Sequence, residues 1–260
     1  MSDPDLDLLS RGHYARKQIF SRSRLVAWSH GSRFDLARRL VAPRAGQRLL
    51  DYGCGDGTFL GLVHDLFPTA AGVDIEPRQV EGCRERLAPL TGLSFGTIDS
   101  LAGARDRVFD VIACMEVFEH CPDDVQAAVL GELHRLAAPG ATIIISVPIE
   151  IGPTLAAKQA ARAFAAWRGL SEYETRERYT ASELLHMVLG GRGAAIGRHE
   201  TIAEIAPGNT MRFTGHKGFN WRRLETAIAA RFTIERRLFS PMPWLGAWLN
   251  SQVWFVCRRN

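Results

Sequence analysis

Lysine is almost missing from this chain of 260 residues. It occurs only at Lys17, Lys158 and Lys217, although Lys and Arg together number 32 against 28 acidic residues. The formal charge of +4 therefore rests on arginine, which coding bias explains before phosphate chemistry does. Cysteine is scarce and unpaired in pattern. Cys54, Cys83, Cys114, Cys121 and Cys257 are odd in number and show no C-x-x-C spacing, which excludes a disulfide scaffold and points to free thiols in a reducing compartment. No His/Cys cluster has zinc-ligand spacing, so no metal site is expected. The opening MSDPDLDLLS is acidic and has no apolar run, so no secretory signal is read there. Leu238 to Cys257 carries no charge and is long enough to cross a bilayer, but Pro241, Pro243, Asn250 and Gln252 make it a poor spanning helix. The expected location is cytoplasmic, or peripheral at the inner membrane surface. What is present, 46% hydrophobic and 23% charged residues, is the composition of a folded domain and excludes a disordered or collagen-like chain.

Residues 1–42 read as an N-terminal helical extension, basic from residue 11, with Ile19, Leu25, Val26, Phe34, Leu36, Leu40 and Val41 facing inward. Residues 43–260 read as one domain. Short apolar runs at Arg48–Tyr52, Ala70–Ile75, Leu93–Ile98, Val108–Cys114 and Ala141–Val147 alternate with helical stretches, and Pro139-Gly140 ends the helix from Asp123. That rhythm predicts an α/β fold of Rossmann-like, doubly wound type, whose parallel strands are buried on both faces. Ligands of such folds bind at the carboxyl ends of the strands. After Val147 the rhythm breaks, and residues 150–215, with no clear strand, read as an inserted helical cap. A helix over Phe219–Arg231 and strands over Phe232–Phe239 and Gln252–Cys257 close the chain.

The most informative segment is Leu50-Asp51-Tyr52-Gly53-Cys54-Gly55-Asp56-Gly57, between a strand and a helix. Its glycines let the backbone turn sharply and approach a ligand. A dinucleotide loop needs G-x-G-x-x-G and a helix N-terminus open to pyrophosphate. Here the spacing is G-x-G-x-G, Thr58 stands at the third dinucleotide position, and Asp51 and Asp56 would repel phosphate. A ligand carrying an ammonium or sulfonium suits the loop best. Asp74, followed by Ile75 at the end of the second strand, can accept both hydroxyls of a ribose. Asp99-Ser100 after the third strand can meet an adenine amino group.

With these residues assembled, LDYGCGDG, GVDIEP, TIDS and FDVIACMEVFEH resemble, in order and spacing, the class I S-adenosylmethionine-dependent methyltransferases. CMEVFEHCPDD is particularly similar to the branch containing the quinone-biosynthesis O-methyltransferases. The resemblance implies S-adenosylmethionine as cofactor and a seven-stranded, mostly parallel sheet with an antiparallel last strand, for which SQVWFVCRR is the candidate. It also implies that Gly53, Gly55, Asp74 and Met115 contact the cofactor and that Arg33 holds its carboxylate.

For an oxygen acceptor a general base is useful, and Glu116, Glu119 and His120 stand at the strand ends where one is needed. His216 is a further candidate. No N/D-P-P-Y/F segment follows the fourth strand, and Cys121-Pro122 is not followed by a second cysteine, which disfavours nucleobase amino and cytosine-C5 methylation. The expected activity is methylation of an oxygen on a small-molecule or lipid-like acceptor. N-methylation of a small molecule and a non-catalytic binding subunit are the alternatives. TLAAKQAARAFAAWR, from Thr154 to Arg168, reads as a lid or as a basic amphipathic helix at an anionic membrane. Arg11, Arg16, Lys17, Arg22, Arg24 and Arg33 alternate with serine and apolar residues as on an amphipathic helix, and no RNA module accompanies them, so nucleic acid is not an expected partner.

Overall fold

The computed structural model describes residues 3–19, 24–103, 109–167 and 178–260. The chain opens with helices α1 (Asp3–Ser10), α2 (His13–Gln18) and α3 (Arg24–Val41), so helical structure begins ahead of the basic stretch. Phe34, Leu40 and Val41 of α3 are buried as expected, Ile19 and Leu36 are half-buried, and the side chains of Leu25 and Val26 lie outside the described residues.

The alternating region follows as β1 (Arg48–Tyr52), α4 (Thr58–Val63), β2 (Thr69–Asp74), α5 (Pro77–Leu87), β3 (Leu93–Thr97), β4 (Phe109–Met115), α6 (Asp123–Leu136) and β5 (Ala137–Pro148). Beyond it come α7 (Pro153–Trp167), α8 (Ala181–Leu189), β6 (Glu200–Ala206), β7 (Asn209–Thr214), α9 (Trp221–Ala229), β8 (Thr233–Ser240) and β9 (Gln252–Arg258). The main sheet has seven strands in the order β3-β2-β1-β4-β5-β9-β8, with β1 to β5 parallel and β9 antiparallel to both neighbours.

Period-two alternation explains the core. Leu50, Ile112, Ile143, Ile145 and Phe255 face α6 and α9, which contribute Leu130, Leu133, Trp221 and Leu224. Their neighbours Leu49, Val111, Ile144 and Trp254 face the other way, onto Phe34 and Leu40 of α3 and Phe59, Leu60 and Val63 of α4. Both faces are covered, so the strands read as nearly continuous apolar runs. The strand order reverses between β1 and β4, and a crevice opens there beyond Tyr52 and Met115.

Two expectations are corrected. Pro139-Gly140 does not separate helix from strand, because β5 already starts at Ala137 and runs through both residues. The segment between β5 and α9 is not purely helical either, since β6 and β7 pair as an antiparallel hairpin. Both strands are largely exposed, which removes the apolar alternation by which a strand is recognised.

Candidate functional site

The turn after β1 is built on backbone that only glycine adopts easily. Gly53 has φ +79° and Gly57 φ +71°. A Cβ on Gly53 would stand 2.4 Å from Val117 Cγ2, so the turn packs directly under the strand-four loop. The N–H groups of Gly53 and Cys54 both donate to the Val73 carbonyl (2.8 and 3.0 Å), which ties the loop to β2. Asp74 completes the tie: one carboxylate oxygen accepts the Gly55 N–H (2.9 Å) and the other the Glu76 N–H (3.0 Å). Asp56 occupies the start of α4, where its Oδ1 accepts from Thr58 N (3.2 Å) and Oγ1 (2.6 Å). A carboxylate therefore sits where a dinucleotide pyrophosphate would need N–H donors.

Above the loop lies a crevice of about 240 Å³, lined among others by Asp51, Gly53, Gly55, Arg33, Met115 and Glu116. His13 and Tyr14 of α2 also line it. Asp56 Oδ2 accepts the backbone N–H of Tyr14 (2.9 Å) and of Ala15 (3.4 Å), which fastens α2 to the glycine loop. Burial, with Asp74 and Asp56 adding negative charge, pushes the buried Asp51 carboxyl up from 3.8 to about 8. Such a concentration of acid favours a cationic ligand.

Arg33 is buried against Tyr14 and Phe34, with its guanidinium carbon 5.3 and 5.4 Å from the two ring centres. Its Nη1 lies 3.2 Å from Glu116 Oε2. Arg38, close by in sequence, instead pairs with Asp65 at the surface, so Arg33 is the arginine at the crevice. Burial lowers the Arg33 pKa, against the pull of Glu116 and Glu119. Glu116 has φ +57°, and among the described residues no other non-glycine residue has a positive φ. Its N–H is held by the Ser146 carbonyl (2.9 Å), which keeps the strained residue at the crevice wall.

The sheet end beyond β4 carries a second cluster. Glu119 is fully buried, and neither carboxylate oxygen has a hydrogen-bond partner. Burial, reinforced by Glu116, raises its pKa well above the usual carboxylate range. His120 Nε2 is 3.9 Å from Glu119 Oε1, and the His120 ring meets that of His216 edge-on at 4.9 Å. Burial and His216 lower the His120 pKa, so the ring is neutral at pH 7. His216 Nδ1 in turn faces the buried Glu150 at 3.8 Å, and Lys158 Nζ of α7 donates to Glu150 at 2.9 Å. Burial works to raise the Glu150 pKa, but His216, Lys158 and Arg162 outweigh it and hold the group at about 2.

The fold thus brings Arg33, Asp51, Gly53, Gly55, Met115 and Glu116 to one crevice. Asp74 lies at the adjoining strand end, bound to the loop, with Ile75 half-buried behind it. Asp99 and Ser100 are exposed on the turn after β3, where Ser100 Oγ donates to the Thr97 carbonyl (2.6 Å). These four do not line the crevice as it stands. Glu119 and His120 sit apart from the crevice lining, with Glu116 between. Sequence reasoning missed Tyr14, Glu150 and the meeting of His120 with His216. Of these only Glu150 carries a local signal, as the acid directly after the apolar strand ATIIISVPI.

The apolar face expected on α7 is only partly covered. Thr154 and Leu155 are buried, the former through a hydrogen bond to the Ala247 carbonyl (2.8 Å), while Ala156, Ala160, Ala163 and Trp167 are exposed. Trp244 and Trp248, in the connection between β8 and β9, are 78% and 70% exposed. Among the described residues no helix is long and apolar enough to cross a membrane.

A doubly wound sheet with an acidic glycine loop at the carboxyl ends of its strands, and a carboxylate where a pyrophosphate loop needs N–H donors, is a Rossmann-like domain of a kind other than the dinucleotide-binding one. Comparison with known proteins agrees. The family model described as "Methyltransferase domain" matches residues 24–193, and the chain belongs to that family, within the class I S-adenosylmethionine-dependent methyltransferases. Its cofactor is S-adenosylmethionine, and the convergence of Asp51, Asp56 and Asp74 around a glycine loop fits a ligand with an ammonium, a sulfonium and a ribose. The chain is 32% identical over 108 residues to a ubiquinone biosynthesis O-methyltransferase of Thiobacillus denitrificans, covering 40% of this chain and 46% of that one. It is 32% identical over 133 residues to the Xylella fastidiosa protein so described, covering 48% and 50%. The chain spans about half the length of the curated relatives it matches. Among solved structures, the PH0226 protein of Pyrococcus horikoshii shares the fold at TM-score 0.60 and 17% identity, over 95% of this chain and 98% of that one. The N-methyltransferase NodS of Bradyrhizobium japonicum does so at TM-score 0.55 and 14% identity, over 99% of each.

Proposed function

We propose that the protein transfers a methyl group from S-adenosylmethionine to an oxygen of a small-molecule or lipid-like acceptor. The observation that carries this reading is the placement of Glu116 between two different environments, an acidic crevice suited to the cofactor and a His120–His216 pair suited to a hydroxyl. In this reading Arg33 holds the cofactor carboxylate and Asp51 faces its ammonium. Asp74 takes the ribose hydroxyls, Asp99 and Ser100 the adenine, and Gly53, Gly55, Ile75 and Met115 line its path.

The bound cofactor supplies an electrophilic methyl carbon on a sulfonium. The residues of the chain align and dry the reaction. With the cofactor bound, the acceptor oxygen would form the new O–CH3 bond as the S–CH3 bond gave its electron pair back to sulfur, and the acceptor proton would leave toward His120. A neutral imidazole can take that proton, whereas Glu119, kept protonated by burial, cannot. The segment between β5 and α9 serves as the acceptor cap, with Lys158 and Glu150 joining it to the strand end. Trp244, Trp248 and the open face of α7 make a lipid-like acceptor and a peripheral contact with an anionic membrane the favoured setting.

The test is turnover. Purified protein with S-adenosylmethionine and a panel of phenols, catechols, quinols and matched amines should release S-adenosylhomocysteine with hydroxylated acceptors. Turnover with the amines alone would replace this reading by N-methylation. No turnover despite tight cofactor binding would favour a binding subunit.

A further inference from the structure

We propose that His30 is a positioning residue for the carboxylate end of the cofactor: it orients the Arg33 guanidinium through an uncharged acceptor and so leaves the arginine's charge to the ligand. This role of His30 rests on the reading of Arg33 as the partner of that carboxylate.

His30 and Arg33 stand three residues apart on α3, on one face of the helix. His30 Nδ1 lies 3.3 Å from Arg33 Nη2 and 3.0 Å from the Tyr14 hydroxyl. A guanidinium has only N–H donors, so Nδ1 is the acceptor, and the ring is neutral with its proton on Nε2. The Tyr14 hydroxyl then donates to the same nitrogen. Burial favours this neutral form, lowering the His30 pKa against the pull of Glu116.

The other neighbours of Arg33 give the contact its meaning. Nη1 faces Glu116 at 3.2 Å, and the rings of Tyr14 and Phe34 flank the guanidinium. The two terminal nitrogens thus have different partners, which sets the plane of the fork before a ligand arrives. Those partners differ in kind. Glu116 is a carboxylate, so it offsets the positive charge and competes with an incoming anion. His30 directs the fork and offsets nothing. The distinction matters in this crevice, because Asp51, Asp56 and Glu116 line it and repel an anion. Among the described residues that line it, Arg33 is the only arginine or lysine. An arginine that must receive a carboxylate amid three acids cannot also be neutralised by its anchor. Tyr14 extends the device: its hydroxyl is on His30 and its N–H on Asp56, so the fork, α2 and the glycine loop are joined through two side chains.

The test compares two ligands by calorimetry on the full chain. One is S-adenosylhomocysteine, and the other is its decarboxylated analogue, which keeps the ammonium and the nucleoside. The wild type should prefer the former by about tenfold or more, the worth of a charge-assisted hydrogen bond. His30→Phe keeps a ring and removes the acceptor. It should cut that preference by about 5–10-fold, almost wholly through weaker S-adenosylhomocysteine binding. A mere packing defect would weaken both ligands alike. His30→Asn, whose side-chain oxygen can stand in for Nδ1, should bring the preference back to within about threefold of the wild type. His30→Ala cannot overpack, should behave as His30→Phe, and decides the matter if the latter does not fold. An undiminished preference without the acceptor, an equal loss of both ligands, or no recovery in His30→Asn overturns the role of His30 and leaves the methyl-transfer reading standing. A wild type that binds neither ligand brings down both.

Discussion

Arg33 Nη1 and Glu116 Oε2 stand 3.2 Å apart, one buried in the middle of α3 and the other on left-handed backbone at the crevice wall. The pair is not a surface ion pair of little worth, because removing either partner leaves the other poorly solvated. In the proposed function a cofactor carboxylate at Arg33 would share its guanidinium with Glu116. Arg33→Ala should therefore weaken S-adenosylhomocysteine binding by about 10–100-fold, the range of charge-assisted hydrogen bonds. Glu116→Gln should change it by less than about threefold. Calorimetry that finds the two effects reversed would assign the carboxylate elsewhere.

Asp74 is engaged by Gly55 and Glu76 through one oxygen each, which holds its plane at the strand end and leaves lone pairs for hydroxyls. Asp74→Ala removes the loop tie and, with it, the proposed acceptor of the ribose hydroxyls. S-adenosylhomocysteine affinity should fall about 100-fold or more, with NAD showing no binding to either form. Retention of nucleoside binding by the variant would remove Asp74 from the cofactor site.

The raised pKa of Asp51 makes binding and stability pH-dependent. The folded protein holds this proton up to about pH 8, while the unfolded chain releases it near 3.8. Between those values the folded state binds more protons, so the contribution of Asp51 to stability falls as pH rises. A cationic ligand prefers the ionised carboxylate, so cofactor affinity should rise from pH 6 toward pH 8 and binding at pH 7 should release a proton. Titrations in two buffers of different ionisation enthalpy measure that release, and Asp51→Asn should abolish it. Proton uptake instead would contradict the assignment.

Gly53→Ala combines a positive φ with a 2.4 Å approach to Val117. The left-handed backbone alone costs roughly 1–2 kcal/mol. The melting temperature should drop by about 5 °C or more. Val117→Ala should restore part of the loss, since it removes the contact but not the backbone strain. An unchanged melting temperature in Gly53→Ala would mean that the turn relaxes freely.

Trp244 and Trp248 should matter at a membrane and nowhere else. The wild type is expected to sediment with vesicles containing phosphatidylglycerol, and Trp244→Ser with Trp248→Ser should reduce the bound fraction several-fold without shifting the melting curve. If the wild type ignores such vesicles, the membrane contact is ruled out.

The sheet was legible because its signals are local. Arg48–Tyr52 is an apolar run before a glycine loop, and β1 occupies those same residues. Asp74 could be placed because a strand, a turn and Pro77 follow one another in order. Glu200 to Thr214 was illegible, since a hairpin exposed on both faces has no buried alternation to display. Pro139-Gly140 misled because a breaker pair also suits a bulge, and β5 shifts register against β4 between Ala137 and Thr142. The Glu119–His120–His216 cluster could not be read in advance, because His216 arrives through the hairpin β6–β7, whose end Arg198 ties to Glu119 through Thr214, and neither leaves a local pattern.

The fastening of Tyr14 and Ala15 to Asp56 has a kinetic meaning. One wall of the crevice, α2, and the glycine loop share one carboxylate through two backbone hydrogen bonds. In the proposed function, release of the product nucleoside should then depend on these two bonds as well as on the ligand's own contacts. Turnover measured with α2 intact and turnover measured with it trimmed are two different clocks.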